Sequence, residues 1–286
     1  MRYLVFFAPT SVSAVDDGCK ALKMMLLEKK ESTPVASQIR LLLLEKVVIP
    51  SGRLPSVGVA RGSAKHILPH SLIGHVEDTD TERENSLKSG KAIVVYMHGN
   101  SGSRAGSHRV ELYNLLQSLD CHVVCFDYRG YADSTPVQPC ERGVCADATS
   151  VFKWVYDRRG KSPVYIWGHS LGTGVASHVV GEICQRGSTL PIPDGLILES
   201  PFNNLQDEIR FHPMTWLYLE GQRHRPEGAP PITFFEFSEE RGCGHKYICR
   251  VPELKSIISE FFDRCTTATW DEDSRTPHFQ GGEVEM

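Results

Sequence analysis

The sequence predicts an α/β domain, a mostly parallel sheet with helices on both faces, and three observations carry that expectation. From Ala92 onward, short apolar runs of strand length alternate with segments whose apolar residues recur at helical spacing, the pattern of strands covered by helices on both sides. One strand-to-helix junction reads Gly168-His169-Ser170-Leu171-Gly172, a serine between glycines that directly follows the apolar run Val164 to Trp167. At 286 residues the chain suits one large domain with an ample core and a short leader.

Taken in order, residues 1–90 read as a weakly patterned leader, residues 91–265 as the α/β domain and residues 266–286 as a polar, disordered tail. Within the leader, Met1 to Ala8 faintly resembles a signal sequence, but its apolar core is short and Pro9 interrupts it. Leu41 to Ile49 reads as an edge strand, and the charged stretch His75 to Lys91 as a loop. Ala92 to Met97 is a buried strand, after which Ser107 is expected to cap a helix with Leu112, Leu115, Leu116 and Leu119 on one face. His122 to Phe126 is the next strand, ending at Asp127. A helix from about Cys145 carries Ala148, Val151, Phe152 and Val155 and is closed by Gly160. Pro163 to Trp167 leads into the serine turn, and Val175, Val179 and Ile183 mark the helix after it, with Gly172, Gly174 and Ala176 allowing close approach to the sheet. Gly195 to Glu199 and Ile232 to Phe237 are further strands, separated by the amphipathic stretch Phe211 to Leu219, which reads as a core-packing helix or a lid. The last helix carries Leu254, Ile257, Ile258, Phe261 and Phe262.

Composition excludes several classes. A formal charge of −4 leaves no basic footprint, so nucleic acid is not an expected partner. No run of about 18 apolar residues is present, so no spanning helix is expected. The nine cysteines form no C-x-x-C pair and no zinc pattern, and neither metal nor cofactor is expected. Their odd number leaves at least one thiol unpaired within the chain, and the redox compartment stays open.

The serine turn has the form of a nucleophile elbow. So sharp a strand-to-helix turn strains the serine backbone and leaves no room for Cβ atoms at Gly168 and Gly172. Ser170 then stands at a helix N-terminus, where the N–H of Leu171 favours a developing oxyanion. His98-Gly99-Asn100-Ser101-Gly102 follows the first strong strand and offers the N–H of Asn100 as a second donor. A base belongs in the loop after the last strand, and His245 lies there; His169, inside the elbow, reads as a packing or hydrogen-bonding residue. No acid is evident, because only 44 positions separate Pro201 from His245 and a βαβ crossover takes about 30 or more. Glu199, ending a buried strand, is the substitute candidate, with a structural strand-end carboxylate as its alternative.

These motifs resemble a family of membrane-associated lipases, the abhydrolase domain-containing protein 12 group. The resemblance lies in Tyr96 to Gly102, His108 to Tyr113, Phe126 to Gly130, Val164 to Ala176, Leu196 to Phe202 and His245 to Ile248. It implies an α/β-hydrolase fold and hydrolysis of lysophosphatidylserine and monoacylglycerols at the endoplasmic reticulum membrane, with Ser170 as nucleophile and His245 as base. The family's membrane helix has no match, so a soluble form or peripheral membrane contact is expected. Also unmatched is the segment between Glu199 and the last strand that holds the cap, a late strand and the triad aspartate, as in a truncated or spliced member. Two outcomes follow for the sheet: Ile232 to Phe237 slides into the vacant place and brings His245 to Ser170, or an edge stays open and the site never assembles. The alternatives to a lipid-ester hydrolase are a catalytically impaired scaffold that binds acyl ligands or a protein partner, and a thioesterase or peptidase on the same frame.

Overall fold

The computed structural model describes residues 2–7, 63–183, 188–201, 232–237 and 242–267. Seven strands form one sheet: β1 (Arg2–Phe7), β2 (Ser63–Ile67), β3 (Ile93–Met97), β4 (His122–Asp127), β5 (Val164–His169), β6 (Gly195–Glu199) and β7 (Ile232–Phe237). Their order across the sheet is β2-β4-β3-β5-β6-β1-β7. The inner strands β4, β3, β5 and β6 run parallel, while β2 pairs antiparallel with β4.

Strand β1 pairs antiparallel with β6 on one side and with β7 on the other, Leu4 facing both Glu199 and Phe235. A reversed strand between two others leaves those two parallel. β7 therefore points its carboxyl end to the same edge of the sheet as β5 and β6. This outcome is neither of those expected from the sequence: Ile232–Phe237 does not move next to β6, because the chain's own N-terminal segment fills the place between them. The run that resembles a signal sequence is thus a strand inside the sheet.

The parallel strands are apolar without interruption because both faces are covered. On one face Ile93, Val95, Ile166, Leu196 and Leu198 pack with α3 (Glu141–Arg158) and α4 (Leu171–Ile183), through Ala148, Phe152, Val155, Val175 and Val179. On the other face Val94, Val123, Trp167 and Ile197 pack with α2 (Ser107–Ser118) and α5 (Leu254–Thr267), through Leu112, Leu116, Leu254, Ile258 and Phe261. Leu4 and Phe6 of β1, both fully buried, join this second layer, with the Phe6 ring 4.7 Å from that of Phe261.

Several local expectations change. The stretch His75 to Lys91 contains helix α1 (Asp80–Ser86), whose Thr79 side chain accepts the Glu82 N–H at 3.2 Å. Ser107 is the first helical residue of α2 and Gly106 its N-cap, which makes no side-chain cap bond. Helix α3 begins four residues before Cys145, at Glu141. Gly174 faces open space, so the close approach of α4 to the sheet falls to Gly172 and the fully buried Ala176. Leu41 to Ile49, Phe211 to Leu219 and residues 268–286 lie outside the described residues. Cys121, Cys125, Cys145 and Cys243 are buried, and the described cysteines are free thiols. Among the described residues no helix is long and apolar enough to cross a membrane, and no group of side chains could hold a metal ion.

Candidate active site

The elbow forms as its glycines require. A Cβ on Gly168 would stand 2.4 Å from the Gly172 carbonyl oxygen, and one on Gly172 would stand 1.9 Å from that of Met97, so neither position accepts a side chain. Between them Ser170 has φ +52°, a left-handed conformation that costs a non-glycine residue about 1–3 kcal/mol and that the surrounding bonds must impose. Its N–H donates to the Glu199 carbonyl at 3.0 Å, and its own carbonyl accepts the Thr173 N–H at 2.9 Å and the Thr173 hydroxyl at 2.6 Å. The backbone on either side of the nucleophile is thereby pinned to β6 and to α4.

Four strand ends meet around Ser170: β3 supplies the turn from His98, β5 the elbow, β6 Glu199, and the segment after β7 supplies His245. His245 Nε2 lies 2.9 Å from Ser170 Oγ, across 75 residues of chain. The sequence-nominated nucleophile and base are therefore together. Serine oxygen to imidazole nitrogen at this distance is the arrangement by which a hydroxyl passes its proton to a neighbouring base as it attacks.

His169 acts on the base loop. Its Nε2 donates to the His245 carbonyl at 2.9 Å, so the neutral ring carries its proton there and leaves its buried Nδ1 an acceptor with no hydrogen-bond partner among the described residues. Burial pushes its pKa down to about 4; the bond to His245 opposes this and the Arg109 charge reinforces it. Buried Glu199 accepts the Trp167 indole N–H at 2.9 Å and keeps its other oxygen 3.9 Å from His169 Nε2. From outside, Arg250 donates two bonds of 2.8 Å to Glu111 of α2 and lies over the Tyr247 ring, tying the base loop to α2.

Leu171 opens α4, so its N–H has no acceptor within the helix. Asn100 sits in the turn after β3, its side-chain oxygen taking the Tyr131 hydroxyl at 2.9 Å. Gly99 brings this turn against the elbow: a Cβ there would stand 3.2 Å from Ser170 Cβ and 3.1 Å from His169 Nδ1.

What sequence reading missed is the scaffold under that turn. His98 is fully buried, with Nε2 3.1 Å from Asp127 Oδ1. Asp127 also accepts the Arg104 N–H at 2.7 Å and its guanidinium, which continues to Asp133. Burial works to raise the Asp127 pKa, but the adjoining His98 ring and the bonds from Arg104 outweigh it and hold the carboxyl below its ordinary range. Arg109 of α2, 2% exposed, reaches under the turn from the other side. The visible signal was charge in the wrong place: Asp127 ends the apolar run Val123 to Phe126, and Arg109 falls on the buried side of a helix.

A family model described as alpha/beta hydrolase fold matches residues 92–194. The chain is 53% identical over 232 residues to the lysophosphatidylserine lipase ABHD12 of Gallus gallus, covering 62% of this chain and 60% of that protein. With the Danio rerio protein of the same name the identity is 47% over 251 residues, covering 68% and 65%. With that of Macaca fascicularis it is 38% over 235 residues, covering 63% and 58%. The chain thus spans about three fifths of the length of these relatives. Each alignment is longer than the part of this chain it occupies, so the relatives carry residues inside the matched region that have no counterpart here.

Proposed function

We propose, for a chain that belongs to the α/β-hydrolase superfamily and is related to lysophosphatidylserine lipases, that it is a serine hydrolase cleaving carboxylic esters of lipids, lysophosphatidylserine and monoacylglycerol among them. The observation that carries the reading is Ser170, held at φ +52° on the elbow with its hydroxyl 2.9 Å from His245 Nε2.

In the reaction, Ser170 Oγ attacks the ester carbonyl as its proton passes to His245 Nε2. The carbonyl electron pair moves onto the oxygen, which the N–H groups of Leu171 and Asn100 receive. Collapse of the tetrahedral adduct expels the lipid alcohol, which takes the proton from the imidazolium. Water, activated by the same imidazole, then attacks the acyl-enzyme and releases the fatty acid. A triad acid holds the imidazole in orientation, and its loss costs roughly 10⁴-fold. Among the described contacts, His169 holds the His245 carbonyl and Glu199 flanks His169.

The test is fatty-acid release from lysophosphatidylserine and from monoacylglycerol in mixed micelles, by the wild-type chain and by Ser170→Ala and His245→Ala. Release by wild type alone is expected. Equal release by all three, or none by a folded wild type, sinks the assignment and leaves an acyl-binding scaffold. The location that accompanies this reading is the surface of the endoplasmic reticulum membrane, through peripheral contact, and co-flotation with liposomes of that composition tests it.

A further inference from the structure

We propose that Arg109 is a positioning residue for the oxyanion hole, fixing the Gly99–Asn100 peptide so that the Asn100 N–H faces the ester oxygen on Ser170. The inference rests on the serine-hydrolase reading and adds to it a residue outside the nucleophile, base and donors.

The turn from His98 to Ser103 has neither helix nor strand bonds to hold it, yet the carbonyls of His98, Gly99, Ser101 and Ser103 all accept hydrogen bonds. Arg109 Nη2 donates to Gly99 O at 3.1 Å and to Ser101 O at 2.7 Å, and Nη1 donates to Ser103 O. Gly99 O also accepts His98 Nδ1–H at 2.7 Å, and the Tyr128 hydroxyl takes His98 O at 3.0 Å. One planar guanidinium thus gathers three carbonyls of one turn, a task its rigid fork of donors suits and a lysine ammonium does not.

The consequence lies in the peptide group itself. In a trans peptide the carbonyl of residue i and the N–H of residue i+1 share one plane and point in opposite directions. Holding Gly99 O with two donors therefore directs the Asn100 N–H away from Arg109. The far side of that turn is the Ser170 side, since Gly99 Cα lies against the elbow. Donation into Gly99 O also polarises the same amide and strengthens its N–H as a donor, as in any hydrogen-bond chain.

Electrostatics reinforce the geometry. Among the described residues no carboxylate forms an ion pair with Arg109, although the residue is 2% exposed. A buried guanidinium bonded to carbonyl oxygens, its Nε without a hydrogen-bond partner among the described residues, keeps a net positive field at the place where negative charge develops. That field is felt around the site, where the Arg109 charge adds to burial in lowering the pKa values of His98, His108 and His169.

The experiment compares wild type, Arg109→Met and Arg109→Lys on p-nitrophenyl butyrate, with rates normalised to folded protein by calorimetry. It adds inhibition by an aliphatic trifluoromethyl ketone, whose adduct carries the oxyanion. Loss of one oxyanion donor costs about 10²–10³ in kcat, so Arg109→Met is expected to lose about 10²-fold in kcat with KM little changed. Trifluoromethyl ketone affinity should fall in step with kcat/KM, and Arg109→Lys should lie between. A folded variant with wild-type kcat, or with its loss confined to KM, overturns the inference. A measurement on the wild type stands apart from variant folding: the Asn100 amide proton should move downfield on forming the adduct, and an unmoved resonance also overturns it. Wild-type labelling by a fluorophosphonate reads the hydrolase assignment separately. Without labelling both readings fall; with it, and with unchanged variants, only the Arg109 role does.

Discussion

At the scale of residues, the site depends on one short bond and on the groups that hold its two ends. His169 fixes the base end through the His245 carbonyl, a net hydrogen bond worth about 1 kcal/mol, so His169→Phe should lower kcat/KM by roughly fivefold to tenfold. His169→Gln, whose amide can still donate, should recover part of that rate, and steady-state kinetics on a soluble ester with both variants checks the pair. Equal losses in the two would mean that ring shape, not the bond, is what the base loop requires. Ser170 and His245 could be read from the sequence because the elbow motif and the chain order of a serine hydrolase name them directly. Arg109 shows in the sequence only as a charge on the buried side of a helix; its role does not, since its work is done on backbone carbonyls, which leave no residue pattern behind.

At the scale of elements, the account turns on β1 and on the elbow. Phe6 is fully buried, its ring 4.7 Å from Phe261 and 5.6 Å from Phe235 of β7. Phe6→Ala should cost about 3–5 kcal/mol by denaturant unfolding. Because β1 is the strand that β7 pairs with among the described residues, the substitution should also weaken active-site labelling at denaturant concentrations where the β3–β5 core is intact. Labelling that persists until global unfolding would show that β7 and His245 hold their places without β1. Gly172→Ala places a methyl 1.9 Å from the Met97 carbonyl, and its backbone cannot yield, so an overpacking loss of about 3 kcal/mol is expected from thermal melts. The strands and helices from Ala92 to Glu199 were legible because each buries a continuous run or a periodic face. Strand β1 was not, because so short a run becomes a strand only by pairing with residues about two hundred positions away or more. Helix α1 carried a legible signal in Thr79 and Glu82, a capping-box spacing hidden by the charges around it.

At the scale of the whole molecule, buried histidines set the response to acid. Burial lowers the pKa of His66 to about 3, and of His122 and His169 to about 4, each ring being kept neutral in the folded chain. The unfolded chain binds these protons near pH 6.5, so stability is complete above that value and is lost as pH falls toward 4, at up to about 1.4 kcal/mol per pH unit for each ring. Asp127, held below its ordinary range, adds to the loss in the same sense once pH falls below the ordinary carboxylate range. The Tm should therefore fall steadily from pH 7 to pH 4.5, and a flat profile would contradict the burial of these rings.

The central claim is that a working serine–histidine pair assembles on a sheet whose N-terminal strand occupies the place between β6 and β7. The rate of fluorophosphonate labelling of the folded chain tests it most directly, with Ser170→Ala and His245→Ala beside the wild type. The account predicts labelling of the wild type at Ser170, none in Ser170→Ala, and labelling slowed by two orders of magnitude or more in His245→Ala. A folded wild type that does not label, or a His245→Ala variant that labels at the wild-type rate, would contradict it.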